Sequence, residues 1–291
     1  MAESAQILQK LQQDSFSPEQ SITYNFLVPN ETGMDRFLAA SQPPASAQEP
    51  APITSSQDPN EMPSASSEAN PKAKIQASAP NTSISVFLAA TEAFSHANTN
   101  CSVAESISRS KSIVQRARES SIPVRAYISV ALGCPYEGPD VSPQKVADMA
   151  RTLLEMGIDE VSLADTTGMG TAPKTLALMN ALAAAGVSSH DLALHCHDTY
   201  GQALINICVG LEHGIRVFDS AVAGLGGCPF AKGASGNVST EDLIHCLHSL
   251  GMSTGIDIEE MSRVGDWISK RLERSNESRT GKAILSRLAS V

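Results

Sequence analysis

Six runs along the chain carry a β-type pattern, and segments with apolar positions at helical spacing lie between them. The runs are ITYNFLVPN (22–30), TSISVFLAA (82–90), VRAYISVAL (124–132), DEVSLADT (159–166), LALHCHD (192–198) and RVFDSAVAG (216–224). Near-continuous apolar runs of this kind suit parallel strands covered on both faces. Ser142 followed by Pro143 is a helix-start signal. Val146, Met149, Ala150, Leu153 and Leu154 then recur at helical spacing, and Gly157 ends the helix. Ser102 with Glu105 has the form of a capping box. Further helices are predicted over 173–185, 202–212 and 240–250, with a last one over 257–273.

Repeated strand–helix units predict an α/β fold with a parallel sheet. There is no dinucleotide-binding glycine fingerprint and no phosphate-binding Walker loop. The favoured architecture is a (β/α)8 TIM-type barrel with about six of its eight units present, and a doubly wound sheet is the second choice. In such a barrel the chemistry sits at the C-terminal ends of the strands. Residues 1–40 then form an early helix–strand–helix unit, and 82–291 hold the remaining units and the C-terminal helices. Between them, 41–81 is rich in Pro, Ser, Ala and Gln and almost free of large apolar residues. It buries too little to offset the cost of ordering, so a disordered insertion is expected.

A net charge of −10 argues against a general nucleic-acid binder. No run approaches the roughly 18 apolar residues of a membrane span, and the first residues carry no apolar signal core, so a soluble, unexported protein is the default. The six cysteines include no CxxC pair, which favours reduced thiols.

Four stretches carry candidate chemistry. In LALHCHDTYGQA, His195 and His197 are two residues apart on a strand and so project to the same side. They form either a metal pair or a proton-transfer site; the alternative is one buried, hydrogen-bonded histidine and one at the strand end. The loop GLGGCPFAKGASGN (224–237) holds five glycines and Cys228. A thiol there is placed for acid or nucleophile work, the alternative being an incidental thiol in a flexible loop. Asn237 ends the loop and offers an amide oxygen to a hard cation or a substrate. In GCPYEG, Glu137 is either a carboxylate supporting the site or a loop charge. In SLADTTGMG, Asp165 is either a turn former or a group orienting a ligand. Glu137 and Asp165 are the candidates for substrate binding.

Together GCPYEG, SLADTTGMGT, HCHDTYGQA, FDSAVAGLGGCPFAKGASGN and TEDL resemble hydroxymethylglutaryl-CoA lyase, from about residue 83 to the C-terminus. The glycine-rich loop is the specific element, whereas the HxH pair is shared with isopropylmalate and homocitrate synthases and related aldolases. The resemblance implies a (β/α)8 barrel that cleaves hydroxymethylglutaryl-CoA, an acyl-CoA, to acetyl-CoA and acetoacetate, a step of leucine catabolism and ketone-body formation. It implies a divalent cation, magnesium or manganese, held by His195, His197 and Asn237. Cys228 becomes the acid–base thiol of a mobile loop, and His195 also takes part in proton transfer from the C3 hydroxyl. A mitochondrial location is implied, with the cytoplasm as the alternative, and a homodimer is left open.

The family's first strand carries an Arg-Asp-Gly motif whose aspartate is a metal ligand and whose arginine stabilises the enolate. No Arg-Asp pair occurs in this sequence. The expectation is a chain that begins after the family's second strand, with open apolar edges and little lyase turnover of its own. Two rival readings follow. One is a catalytically inactive barrel fragment that acts by binding. The other is an acyl-condensing synthase or another metal aldolase, against which the glycine-rich loop argues.

Overall fold

The computed structural model describes residues 4–13, 22–41, 81–227 and 236–290. Most of the proposed insertion, and Cys228, lie outside them. The described elements run α1 (Ser4–Gln13), β1 (Thr23–Leu27), α2 (Glu31–Ser41), β2 (Asn81–Ala89), α3 (Glu92–Thr99), α4 (Val103–Glu119), β3 (Val124–Ser129), α5 (Pro143–Glu155), β4 (Glu160–Asp165), α6 (Ala172–Ala184), β5 (Leu192–Cys196), α7 (Ala203–Glu212), β6 (Val217–Asp219), α8 (Thr240–Ser249), α9 (Ile258–Arg271) and α10 (Arg279–Leu288).

The helix boundaries follow from local chemistry. The Ser102 hydroxyl accepts the Glu105 N–H at the start of α4, and Ser142 accepts that of Lys145 ahead of Pro143 at the start of α5. Val146, Ala147, Met149, Ala150 and Leu153 form the buried stripe of α5. The helix stops at Gly157, whose φ of +100° suits a residue without Cβ. There the Gly157 N–H bonds the Leu154 carbonyl and the Ile158 N–H bonds that of Leu153, the crossed pattern that closes a helix C-terminus.

The six strands form one parallel sheet in the order β1-β2-β3-β4-β5-β6. On one face Ile84, Val86, Leu88, Ala126, Ile128, Val161, Leu163, Leu192 and Leu194 pack into the main core beneath the helices. The other face carries Asn25, Ser85, Phe87, Arg125, Tyr127, Glu160, Ser162, Ala193, His195 and Asp219, set side by side by the strand register. The expectation of apolar burial on both faces is therefore corrected. One face is the core and the other is a polar wall, because it lines a cleft.

The sheet is curled. Arg125 on β3 and Asp219 on β6 are three strands apart, roughly 14 Å on a flat sheet, yet Arg125 Nη1 lies 2.8 Å from Asp219 Oδ1. Parallel strands, alternating helices and inward curl make an α/β barrel of the TIM type, with six strands among the described residues. In the ladder β1 and β6 are the edges, and Leu27 and Val217 on them are exposed.

Two helices were not expected. The short α3 follows β2 directly. Beyond α9, the helix expected to be the last, α10 packs against α8 and α9. It is tied down by Asp242, whose carboxylate accepts from the Ser278 hydroxyl and the Thr280 N–H.

Candidate active site

A cleft of about 540 Å3 opens at the C-terminal ends of the strands, lined by Asn25, Ser85, Tyr127, His195, His197 and Asn237 among others. His195 and His197 point to the same side of β5, as their spacing requires, with ring centroids 5.3 Å apart. Asp198, the next residue, turns away and accepts the Ala203 N–H at the start of α7.

Asn237 arrives from a different part of the chain. Its backbone pairs with His197 in an isolated antiparallel bridge, and its side-chain amide donates to the Leu225 carbonyl at 2.8 Å. That bond fixes the amide and leaves its oxygen free of protein partners. Both Asn237 Oδ1 and His197 Nδ1 are buried without a hydrogen-bond partner. Buried polar atoms are almost always satisfied, so two orphaned acceptors beside each other fit a ligand with a positive charge. Burial, reinforced by His195, pushes the His197 imidazole down to about 4. The ring is therefore neutral near pH 7, the form in which a histidine binds a metal. Among the described residues no group of three or more His, Cys, Asp or Glu is arranged to hold a metal ion; the candidate set here is two imidazoles and one amide oxygen.

The wall below the histidines is a charged network that sequence reasoning missed. His195 Nδ1 lies 3.2 Å from Asp219 Oδ2, its register neighbour on β6. Asp219 also accepts from the Ser162 hydroxyl at 3.2 Å and pairs with Arg125 at 2.8 Å. Burial alone would raise its carboxyl, but the bond to His195 and the charge of Arg125 hold it below the usual range. Arg125 pairs in turn with Glu160 and sits over the Tyr127 ring. Strand parity was an advance signal for Arg125 and Glu160, which fall on the wall-facing set of β3 and β4; Asp219 joins them through its register with His195.

The two substrate-binding candidates are not brought to the cleft. Asp165 has the opposite parity to Ala164, so it faces the helices, fully buried, and its Oδ2 accepts the Gly170 N–H at 3.0 Å. Burial raises its pKa to about 6, against the pull of the Gly170, Gly168 and Met169 amides. This is the turn-forming role. Glu137 is exposed, and its Oε1 accepts the Ala93 N–H at 2.8 Å in the first turn of α3. Cys228 lies outside the described residues, but Gly226 and Gly227, which lead to it, line the cleft. The five described cysteines are all free thiols.

Glu241, in the TEDL stretch, is a further residue the sequence reading left unassigned. It is fully buried, and its carboxylate accepts the Ala223 N–H twice, at 3.0 and 3.2 Å. It thereby anchors the kinked backbone at Ala223, where φ is +56°, just ahead of the glycine-rich loop.

Comparison with known proteins identifies the family. The HMGL-like family model matches residues 54–268. A zebrafish (Danio rerio) protein named 3-hydroxy-3-methylglutaryl-CoA lyase, cytoplasmic, is 52% identical over 200 residues, 69% of this chain and 59% of its own length. A rat (Rattus norvegicus) protein named hydroxymethylglutaryl-CoA lyase, mitochondrial, is 50% identical over 200 residues, 69% of this chain and 61% of its own length. The matched part of the chain thus spans about three fifths of these relatives. The crystal structure of hydroxymethylglutaryl-CoA lyase from Pseudomonas aeruginosa superimposes with a TM-score of 0.79 at 40% identity, covering 99% of this chain and 80% of that one. The family model covers most of the chain and both relatives match over 69% of it, so the chain belongs to the HMGL-like family.

Proposed function

We propose that this chain is a hydroxymethylglutaryl-CoA lyase, acting on an acyl-CoA to give acetyl-CoA and acetoacetate. The observation that carries the reading is the convergence of His195, His197 and Asn237, with two orphaned buried acceptors, at the mouth of the cleft. These three residues would hold a divalent cation, magnesium or manganese. Bound there, the cation would lower the pKa of the substrate's C3 hydroxyl and orient it.

His195 lines the cleft and takes the hydroxyl proton as a general base. As that proton leaves, the C2–C3 bond breaks; its electron pair goes to C2 of the acetyl-CoA enolate, and C3 becomes the ketone carbon of acetoacetate. Cys228 is the proposed donor of a proton to C2. The Tyr127 ring meets the His195 ring edge-on, with centroids 5.8 Å apart, and restricts its turning. Relatives bear both cytoplasmic and mitochondrial names; the mitochondrion is proposed for this chain, with the cytoplasm as alternative.

The test is acetoacetate release from hydroxymethylglutaryl-CoA with manganese present. Turnover is expected, and it should vanish without the cation and in His195→Ala. Turnover that persists in His195→Ala overturns the assignment. Manganese binding through the histidines with no acetoacetate released would support a barrel that binds without cleaving.

A further inference from the structure

We propose that Asp219 is the positioning residue for His195: its carboxylate accepts the Nδ1 proton and so presents an unprotonated Nε2 to the cleft. The inference rests on the reading of His195 as a cleft residue of a metal-assisted lyase. It goes beyond that reading by assigning the atom that acts and the group that selects it.

Asp219 Oδ1 is taken by Arg125 Nη1 at 2.8 Å. Its Oδ2 faces the Ser162 hydroxyl at 3.2 Å and His195 Nδ1 at 3.2 Å. An ionised carboxylate only accepts, and its pairing with a guanidinium keeps it ionised. The proton in the His195–Asp219 contact therefore belongs to Nδ1. A neutral imidazole carries one proton, so Nε2 keeps its lone pair. Free imidazole side chains in water favour the opposite, Nε2-protonated form, so Asp219 reverses the intrinsic preference.

Asp219 cannot swing away to release the ring. Arg125, which clamps it, is itself held by Glu160 at 2.8 Å and by the Tyr127 ring 4.9 Å from its guanidinium carbon. Tyr127 also meets the His195 ring edge-on, at 86° and 5.8 Å between centroids. The ring plane and the tautomer are thus set by different neighbours that share one support. His195 has a single lone pair to offer, so Nε2 is both the atom that would hold a cation and the atom that would accept the hydroxyl proton.

The test is a spectroscopic one on the full chain without metal. Protein labelled with 15N-histidine is examined by long-range 1H–15N correlation, above the ordinary imidazole pKa of about 6.5, with His195 assigned by comparison with His195→Gln. The wild type should show His195 protonated on Nδ1. In Asp219→Asn, which keeps the shape, Arg125 retains the side-chain oxygen and turns the amide NH2 toward Nδ1. His195 should then switch to the Nε2-protonated form, and manganese affinity should fall about 10–100-fold, as it does when a partner behind a metal ligand is lost. A wild-type His195 protonated on Nε2, or an Asn variant with unchanged tautomer and affinity, overturns the proposal. If Asp219→Asn does not fold, the wild-type spectrum alone decides. Absence of lyase turnover with the Nδ1-protonated form present would count against the proposed reaction and not against this one.

Discussion

The backbones of His197 and Asn237 are paired in an antiparallel bridge that joins the end of β5 to the end of the glycine-rich loop. The bridge places the Asn237 amide oxygen beside the histidine pair, and the Leu225 carbonyl holds the other end of the amide. Because the backbone makes the bridge, Asn237→Ala should fold as the wild type does. It should still weaken manganese binding by about 100-fold or more, beyond the cost of losing a mere supporting partner. Isothermal titration checks this, and unchanged affinity would remove Asn237 from the site.

Gly236 makes that approach possible. Its φ is +83°, and a Cβ there would sit 2.8 Å from the Gly224 carbonyl oxygen, which is backbone and cannot step aside cheaply. Gly236→Ala should cost about 1–2 kcal/mol from the left-handed conformation alone. The variant should lose metal affinity as well, because the strain is relieved by moving Asn237. A variant as stable and as tight-binding as the wild type would show that the loop reaches the cleft another way.

The core should answer as a close-packed one. Leu163 on β4 is 1% exposed, whereas Trp267 on α9 is 62% exposed. Leu163→Ala should cost about 2–5 kcal/mol in urea unfolding, and Trp267→Ala should stay within about 0.5 kcal/mol. A large loss at Trp267 would show that α9 is covered by a partner in solution.

The fold was legible because the apolar runs stop at turn signals and several helices start at a side-chain cap, as α4 does at Ser102 and α5 at Ser142. Each of the six strand-like runs overlaps an observed strand, although β2 starts one residue earlier, at Asn81, and β6 spans only Val217–Asp219 of its run. The histidine pair was legible because period two fixes its side. Asp219 was not: a three-residue strand gives no pattern to read parity from, and its partners come from β3, β4 and β5. Asp165 misled because it ends its strand at the right level but on the wrong face, one residue from the parity that lines the cleft. Glu137 misled because a loop charge and a ligand-orienting charge read alike until the helix it caps is known.

The Pro/Ser/Ala-rich stretch between α2 and β2 is expected to be dispensable on its composition. Replacing residues 42–80 by a flexible glycine–serine linker should leave the unfolding free energy within about 1 kcal/mol, as for changes away from the core. A greater loss, seen in the same urea titration, would show that the stretch packs against the barrel.

The central claim is that two imidazoles of one strand hold a divalent cation. Electron spin-echo modulation of manganese added to the chain reads it directly, since a ligating histidine imprints its 14N coupling on the signal. The wild type should show coupling from two imidazoles. His195→Ala and His197→Ala should each lose one, with weaker binding, and the double variant should lose both. Manganese bound with no 14N coupling, or coupling that survives in the double variant, would contradict the account.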